Sequence, residues 1–262
     1  MNANSPVTYP ATYEGVEQVL ARLLGPDGCP WDKKQTRETL AEDFLEECYE
    51  LIEAIEEGDT AKMLEELGDV LFHVIFQVRL GEDNGEFSRE DVLGGLVDKL
   101  VRRHTHVFGD QIAAGADDAI ANWEAVKRQE KAASGGSILD GVPKNMPALS
   151  YAQAVQGRAE RAGFDWDDFN GVLAKVAEEL AEIEAAGTDA ERESELGDLL
   201  FSVVNAARWL GIDAETALRG TNRRFFARFT QMERISRERG TTFDTLSLDE
   251  KESLWQEAKA AE

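Results

Sequence analysis

The chain has 262 residues, 52 acidic and 28 basic, for a formal net charge of −24. That balance argues against a nucleic-acid binder, which needs a basic face for phosphates, and against an anionic membrane surface. Apolar runs such as Val70–Phe76 are too short to span a bilayer, and the first 15 residues carry no basic-then-apolar leader. Two cysteines, Cys29 and Cys48, support neither a disulfide framework nor a thiolate metal site. The expectation is a cytoplasmic protein of one large domain or two small ones.

Six prolines leave 31–142 and 148–262 proline-free. Both stretches are rich in Ala, Leu, Glu, Arg and Lys, and the predicted fold is all-α. The pattern predicts helices over Glu14–Leu24, Arg37–Glu57, Thr60–Leu80, Arg89–Val107 and Ala119–Lys131. It continues with Tyr151–Ala162, Asp168–Ala185, Ala190–Leu210, Ala214–Arg239 and Asp249–Ala260. Asp59, Ser88 and Asp213 stand where caps belong, and Gly58, Gly187 and Gly211 where helices should stop. Ala132–Ser150, with its Gly, Ser and Pro, reads as a linker between domains at 1–131 and 151–262.

The halves repeat each other. Glu46-Glu47-Cys48-Tyr49-Glu50 parallels Glu178-Glu179-Leu180-Ala181-Glu182. Glu66-Leu67-Gly68-Asp69-Val70-Leu71-Phe72 parallels Glu195-Leu196-Gly197-Asp198-Leu199-Leu200-Phe201. Trp31-Asp32 parallels Trp166-Asp167, Trp123 parallels Trp255, and Lys99 and Arg103 parallel Arg224 and Arg228. Ordered similarity with slightly drifting offsets is the mark of a duplicated domain with loop insertions.

Each half therefore carries E-E-x-x-E, then 15 or 12 residues, then E-x-x-D. At 100° per residue, Glu46, Glu47 and Glu50 fall on one side of a helix, as do Glu66 and Asp69. The breaks at Gly58-Asp59 and Gly187-Thr188-Asp189 reverse the chain, so up to five carboxylates can face each other across a helix pair. Like charges so placed raise one another's pKa, and a hard divalent cation removes that cost. An all-oxygen ligand set suits Mg²⁺ or Mn²⁺ rather than Zn²⁺. Mg²⁺ commonly shares its shell with substrate phosphates. The plain alternative is a solvated acidic face. The adjoining apolar runs, and the recurrence of the motif, argue against it.

A di-iron site would need E-x-x-H on two helices. His73 has only Ser202 as its counterpart, and His104 and His106 have none, so the three histidines read as ordinary polar residues. Arg224 and Arg228, like Lys99 and Arg103, share a helix face and either meet phosphate or pair with glutamates. Trp31, Trp123, Trp166 and Trp255 either stack a base or pack in the core. Lys175, one turn before Glu178 and Glu179, reaches phosphate or the acidic cluster.

The duplicated acidic motif followed by L-G-D-[VL]-L-F resembles the MazG family of nucleoside triphosphate pyrophosphohydrolases. The resemblance extends to Cys29-Pro30-Trp31-Asp32, Asp98–His104, His106–Gly109, Ile138–Pro143, Gly163–Trp166 and Leu254–Glu257, nearly the whole chain. It implies two tandem, duplicated helical-bundle domains of the all-α NTP pyrophosphatase type, usually in a homodimer. It implies Mg²⁺-dependent cleavage of nucleoside triphosphates to monophosphate and pyrophosphate, broad in base preference, in nucleotide-pool housecleaning. Carried over by position, metal ligands would be Glu179, Glu182, Glu195 and Asp198, with Glu47, Glu50, Glu66 and Asp69 in the first half. Glu178 or Glu179, and Glu46 or Glu47, would activate water. Lys175, Arg224, Arg228 and Trp255, with Lys99 and Arg103 in the first half, would meet the nucleotide. Two arginines and Trp255 favour the second half. A non-catalytic nucleotide or metal sensor on the same fold is the alternative.

Overall fold

The computed structural model describes residues 8–132 and 136–261, and among them every regular element is helical. The chain divides into two compact units, Met1–Lys127 and Arg128–Glu262.

The first unit contains α1 (Tyr13–Leu24), a 3₁₀ turn at Asp32–Lys34, α2 (Thr39–Glu57), α3 (Thr60–Asp83), α4 (Arg89–Arg103) and α5 (Thr105–Phe108). Helix α6 (Ala116–Ala132) carries the chain across the division. Helices α2 and α3 form an antiparallel pair because of their junction. Gly58 closes α2 at φ 70°, a left-handed conformation that suits glycine. The Asp59 carboxylate then accepts the N–H groups of Ala61 and Lys62, each at 3.0 Å, and opens α3. Leu20, Leu40, Ile75 and Phe76 are fully buried and join α1, α2 and α3 in one core.

The single helix expected over Arg89–Val107 is broken. His104 takes φ −102° and ψ 56°, ending α4 and starting α5. Its Nδ1 lies 2.6 Å from the Leu100 carbonyl oxygen, which also accepts the His104 backbone N–H. A side chain competing for a helical carbonyl is a local bond that periodicity does not register.

The second unit contains α7 (Ala148–Glu160), α8 (Phe169–Ala185), α9 (Asp189–Trp209), α10 (Ala214–Glu238), a 3₁₀ turn at Phe243–Thr245, and α11 (Leu248–Ala260). Helices α8 and α9 repeat the antiparallel pair with different joining chemistry. Gly187 is not left-handed and does not terminate a helix. Its N–H donates to Glu191 Oε2 at 2.9 Å, beside the Thr188–Glu191 capping box that starts α9. Met232, Ile235, Leu254 and Ala258 lock α10 to α11. Of the expected linker, residues 133–135 lie outside the described residues; residues 136–147 carry no helix. The Arg158 guanidinium on α7 donates to the carbonyls of Leu139, Asp140 and Gly141, at 3.1, 2.7 and 3.2 Å. That clamp holds the linker's end against the helix.

Candidate active site

Three carboxylates converge in each half. In the first unit, one oxygen each from Glu47 on α2 and Glu66 and Asp69 on α3 lies within 4.8 Å of the others. In the second, Glu179 and Glu182 on α8 and Glu195 on α9 do the same. Glu66 and Glu179 are nearly fully buried, at 5% and 3% exposed. The expected fourth members, Glu50 and Asp198, fall outside these tight groups. Glu50 remains near enough to act on Glu47 and Glu66 electrostatically, and Asp198 lines a neighbouring cavity. Glu46 and Glu178 are exposed.

The electrostatics are those of crowded acids. Burial pushes the Glu66 carboxyl up, and Glu50, Glu47 and Asp69 push it further. Burial likewise raises Glu47, followed by Asp69 and Glu50, with a hydrogen bond to Glu66 offsetting part of the rise. Glu182 is raised by burial, then by Glu179 and Glu195, with Lys175 pulling the other way. Lys175 sits one turn before Glu178 and Glu179, and its Nζ lies 2.7 and 2.6 Å from their carboxylates. Hydrogen bonds to Glu178 and then Glu179 hold its ammonium far above the ordinary lysine value. Oxygen-only ligands in close triads fit a hard divalent cation.

The raised carboxyls carry a pH signature. A raised folded-state value means that the folded chain favours the protonated form. That contribution to stability is full below the ordinary glutamate value of 4.5 and is lost as pH rises through the folded value. Glu66→Gln removes the ionisation. In EDTA, its urea midpoint relative to the native chain is therefore expected to climb between pH 4.5 and neutrality. A pH-independent difference would remove Glu66 from the acidic cluster.

The second unit also holds a cavity of about 510 Å³. Glu179, Asp198 and Lys175 line it on the acidic side, with Phe164 and Trp166 among its aromatic walls. The linker clamp places Leu139 in the same wall. Gly171, in the first turn of α8, lets Trp166 lie close: a Cβ there would meet the indole at 2.9 Å. Behind the wall, Asp165 Oδ1 accepts Arg208 Nη2 at 2.6 Å, the Trp166 N–H at 2.9 Å and Trp209 Nε1 at 3.1 Å. Burial alone would raise Asp165, but these hydrogen bonds outweigh it and hold the carboxyl below its usual range.

Lys175 and Trp166 apart, the expected basic and tryptophan residues lie outside this lining. Arg228 covers the Trp255 ring at 5.3 Å, and Arg103 covers Trp123 at 5.5 Å, the same cation–π pair in both halves. Trp255 also meets Phe225 at 5.5 Å. Arg224 donates to Thr221 Oγ1 at 2.9 Å, and Lys99 is exposed on α4. The described cavity lining includes none of Arg224, Arg228 and Trp255. Trp31 is exposed, His73 is buried between Phe44 and Phe72, and the His104 ring lies tilted against that of His106.

Gln156, Asn205 and Arg208 line the cavity and are absent from the expected set. One signal for Asn205 exists: Glu195, Asp198, Ser202 and Asn205 step by three, four and three along α9, a polar stripe on one face. No spacing announces Gln156.

The MazG nucleotide pyrophosphohydrolase domain model matches residues 35–108, which include the whole first acidic set. A MazG nucleoside triphosphate pyrophosphohydrolase/pyrophosphatase of Thermotoga maritima is 42% identical over 95% of this chain and 96% of its own. A nucleoside triphosphate pyrophosphohydrolase of Escherichia coli K12 is 41% identical over 93% and 95%. The chain belongs to the MazG nucleotide pyrophosphohydrolase family. YabN of Bacillus subtilis, itself uncharacterised, is 46% identical over 93% of this chain and 51% of its own. The α2–α3 pair within the matched MazG segment and the α8–α9 pair beyond it each present a carboxylate triad, and the two triads share two of their three repeat positions.

Proposed function

We propose that this protein hydrolyses nucleoside triphosphates to the monophosphate and pyrophosphate, with the second unit as the working half. The observation that carries this is the triad Glu179–Glu182–Glu195, anchored on buried Glu179, beside a nucleotide-sized cavity that Lys175 and Glu179 line together. The names of its relatives support the bond cleaved. The first unit differs where the cavity would be. At the repeat offset, Phe76 stands for Asn205 and His73 for Ser202, and Phe76 is fully buried in the core.

Glu179, Glu182, Glu195 and Asp198 would hold Mg²⁺, with Mn²⁺ a chemical substitute. When bound, that ion supplies charge neutralisation at the phosphates and a more acidic water. The chain's own residues then do the positioning. Lys175 turns its ammonium from the carboxylates toward a phosphate oxygen. Glu178, exposed and outside the triad, accepts the proton of the attacking water. Water adds to phosphorus, the bond between the α and β phosphates breaks, and pyrophosphate leaves. Exposed leucines on α8 and α9, Leu173, Leu180, Leu196 and Leu200, support a homodimer. The setting would be the cytoplasmic nucleotide pool, with standard and non-standard nucleotides as substrates. The tandem domains at 1–131 and 151–262 would be duplicates of one ancestral unit.

Product analysis tests this reading. Incubation with each nucleoside triphosphate and Mg²⁺, followed by anion exchange, is expected to give equal monophosphate and pyrophosphate. Diphosphate with orthophosphate would mean the wrong bond. Binding without product would favour the sensor.

A further inference from the structure

The cavity beside the second triad is built with two side-chain amides whose orientations are fixed. Asn205 Oδ1 accepts Arg208 Nε at 2.9 Å and Nη2 at 2.8 Å. A guanidinium only donates, so the oxygen must face it and the NH₂ must be turned away. Arg208 cannot drift, because Asp165 holds it at 2.6 Å and Glu160 at 3.2 Å, and only 11% of its side chain is exposed. Asn205 thus offers N–H donors from a rigid mount.

Gln156 is set the opposite way. Its Nε2 donates to the Phe201 carbonyl at 2.8 Å, which directs Oε1 elsewhere. The residue is 8% exposed, and Oε1 is buried with no hydrogen-bond partner. A buried carbonyl oxygen left without a donor is costly. Phe201 and Asn205 are one turn apart on α9, so this acceptor is anchored to the same stretch of helix as the Asn205 donor. Trp166, backed by Gly171, adds an aromatic wall of the kind on which a flat ring stacks.

A donor and an acceptor in the lining of one cavity are complementary to a heterocycle edge bearing a carbonyl beside a ring N–H. Hypoxanthine, guanine, uracil and thymine present that edge. Adenine and cytosine present the reverse, an amino group beside a bare ring nitrogen. The geometry points to this cavity as a base-reading pocket that selects the keto-edged bases. Asn205 is its specificity-determining donor, Gln156 the acceptor, and Arg208 and Asp165 position Asn205. The inference rests on the nucleotide site proposed above and adds the class of base that it takes.

The cleanest pair of probes is IMP and AMP, which differ only at this edge. Calorimetry on the full chain, with no turnover involved, is expected to show IMP bound at least about tenfold tighter than AMP. Asn205→Asp keeps the Arg208 contact but turns a carboxylate oxygen toward the base. It is expected to bring the ratio to one or below, and Trp166→Leu to weaken both ligands by a similar factor. If Asn205→Asp loses its helical circular dichroism, Gln156→Met replaces it, and a several-fold fall in the ratio is expected. Equal affinities in the native chain would overturn the inference, as would an unchanged ratio in a folded Asn205→Asp protein. Selective IMP binding without hydrolysis of ITP or ATP would leave the pocket in place and remove only the pyrophosphohydrolase reading.

Discussion

Glu179→Gln lowers Mg²⁺-dependent pyrophosphate release by about a thousandfold, while Glu47→Gln changes it only slightly. That is the expected result, and the asymmetry matters as much as the loss. The two residues occupy the same place in the repeat, and each contributes an oxygen to its triad. The glutamine is nearly isosteric but neutral, so it leaves the packing of the 3%-exposed side chain in place and removes its charge. Glu179 also lines the cavity. In the first unit the Asn205 position is Phe76, buried against Leu20, Leu40 and Ile75, so the equivalent wall is filled with core. Initial rates for both variants at saturating Mg²⁺ decide the matter. Equal losses would make both halves catalytic. Full activity in Glu179→Gln would remove the second triad from the reaction.

The helical class, the repeat and the acidic pairs were legible because each rests on a short period or a local signal. Asp59, Ser88 and Asp213 cap where expected, since an N-cap needs only its own side chain and the next three residues. The break at His104 was not legible, because it depends on one ring reaching back to Leu100. The two acidic motifs do fall on paired helices. Their grouping needs the register of one helix on another: Asp69 enters the first triad, whereas Glu182 takes the third place in the second. The cavity was invisible for a stronger reason. Its wall joins Leu139, Gln156, Trp166 and Asn205 from four separate stretches of chain, and only tertiary packing brings them together. Arg228 and Trp255 illustrate the converse. The sequence offers both as nucleotide contacts, and only the fold shows that they meet each other, at 5.3 Å.

Lys175→Met is expected to move two observables in opposite directions. Without metal, the Lys175 ammonium is the cation of the second cluster, 2.6 Å from buried Glu179 and 2.7 Å from exposed Glu178. Removing it leaves the Glu179 carboxyl beside Glu182 and Glu195 without its partner, a change that destabilises even where the intact pair adds little net stability. The metal-free melting temperature should therefore fall. For the same reason a divalent cation no longer has to displace an ammonium, so the Mg²⁺ concentration giving half-maximal thermal stabilisation should also fall. Metal affinity thus rises, whereas turnover should fall. Lys175 lines the cavity beside the triad, and a nucleotide's phosphates arriving there would lose a cation. A drop of about a hundredfold in kcat/KM is expected. Lys175→Arg keeps the charge with a different reach, and should restore the metal-free melting temperature more fully than the rate. If Lys175→Met weakened Mg²⁺ binding along with turnover, the lysine would be a structural strut of the acidic cluster. Tighter metal and slower chemistry together would mean that one ammonium serves the empty site and the substrate in turn.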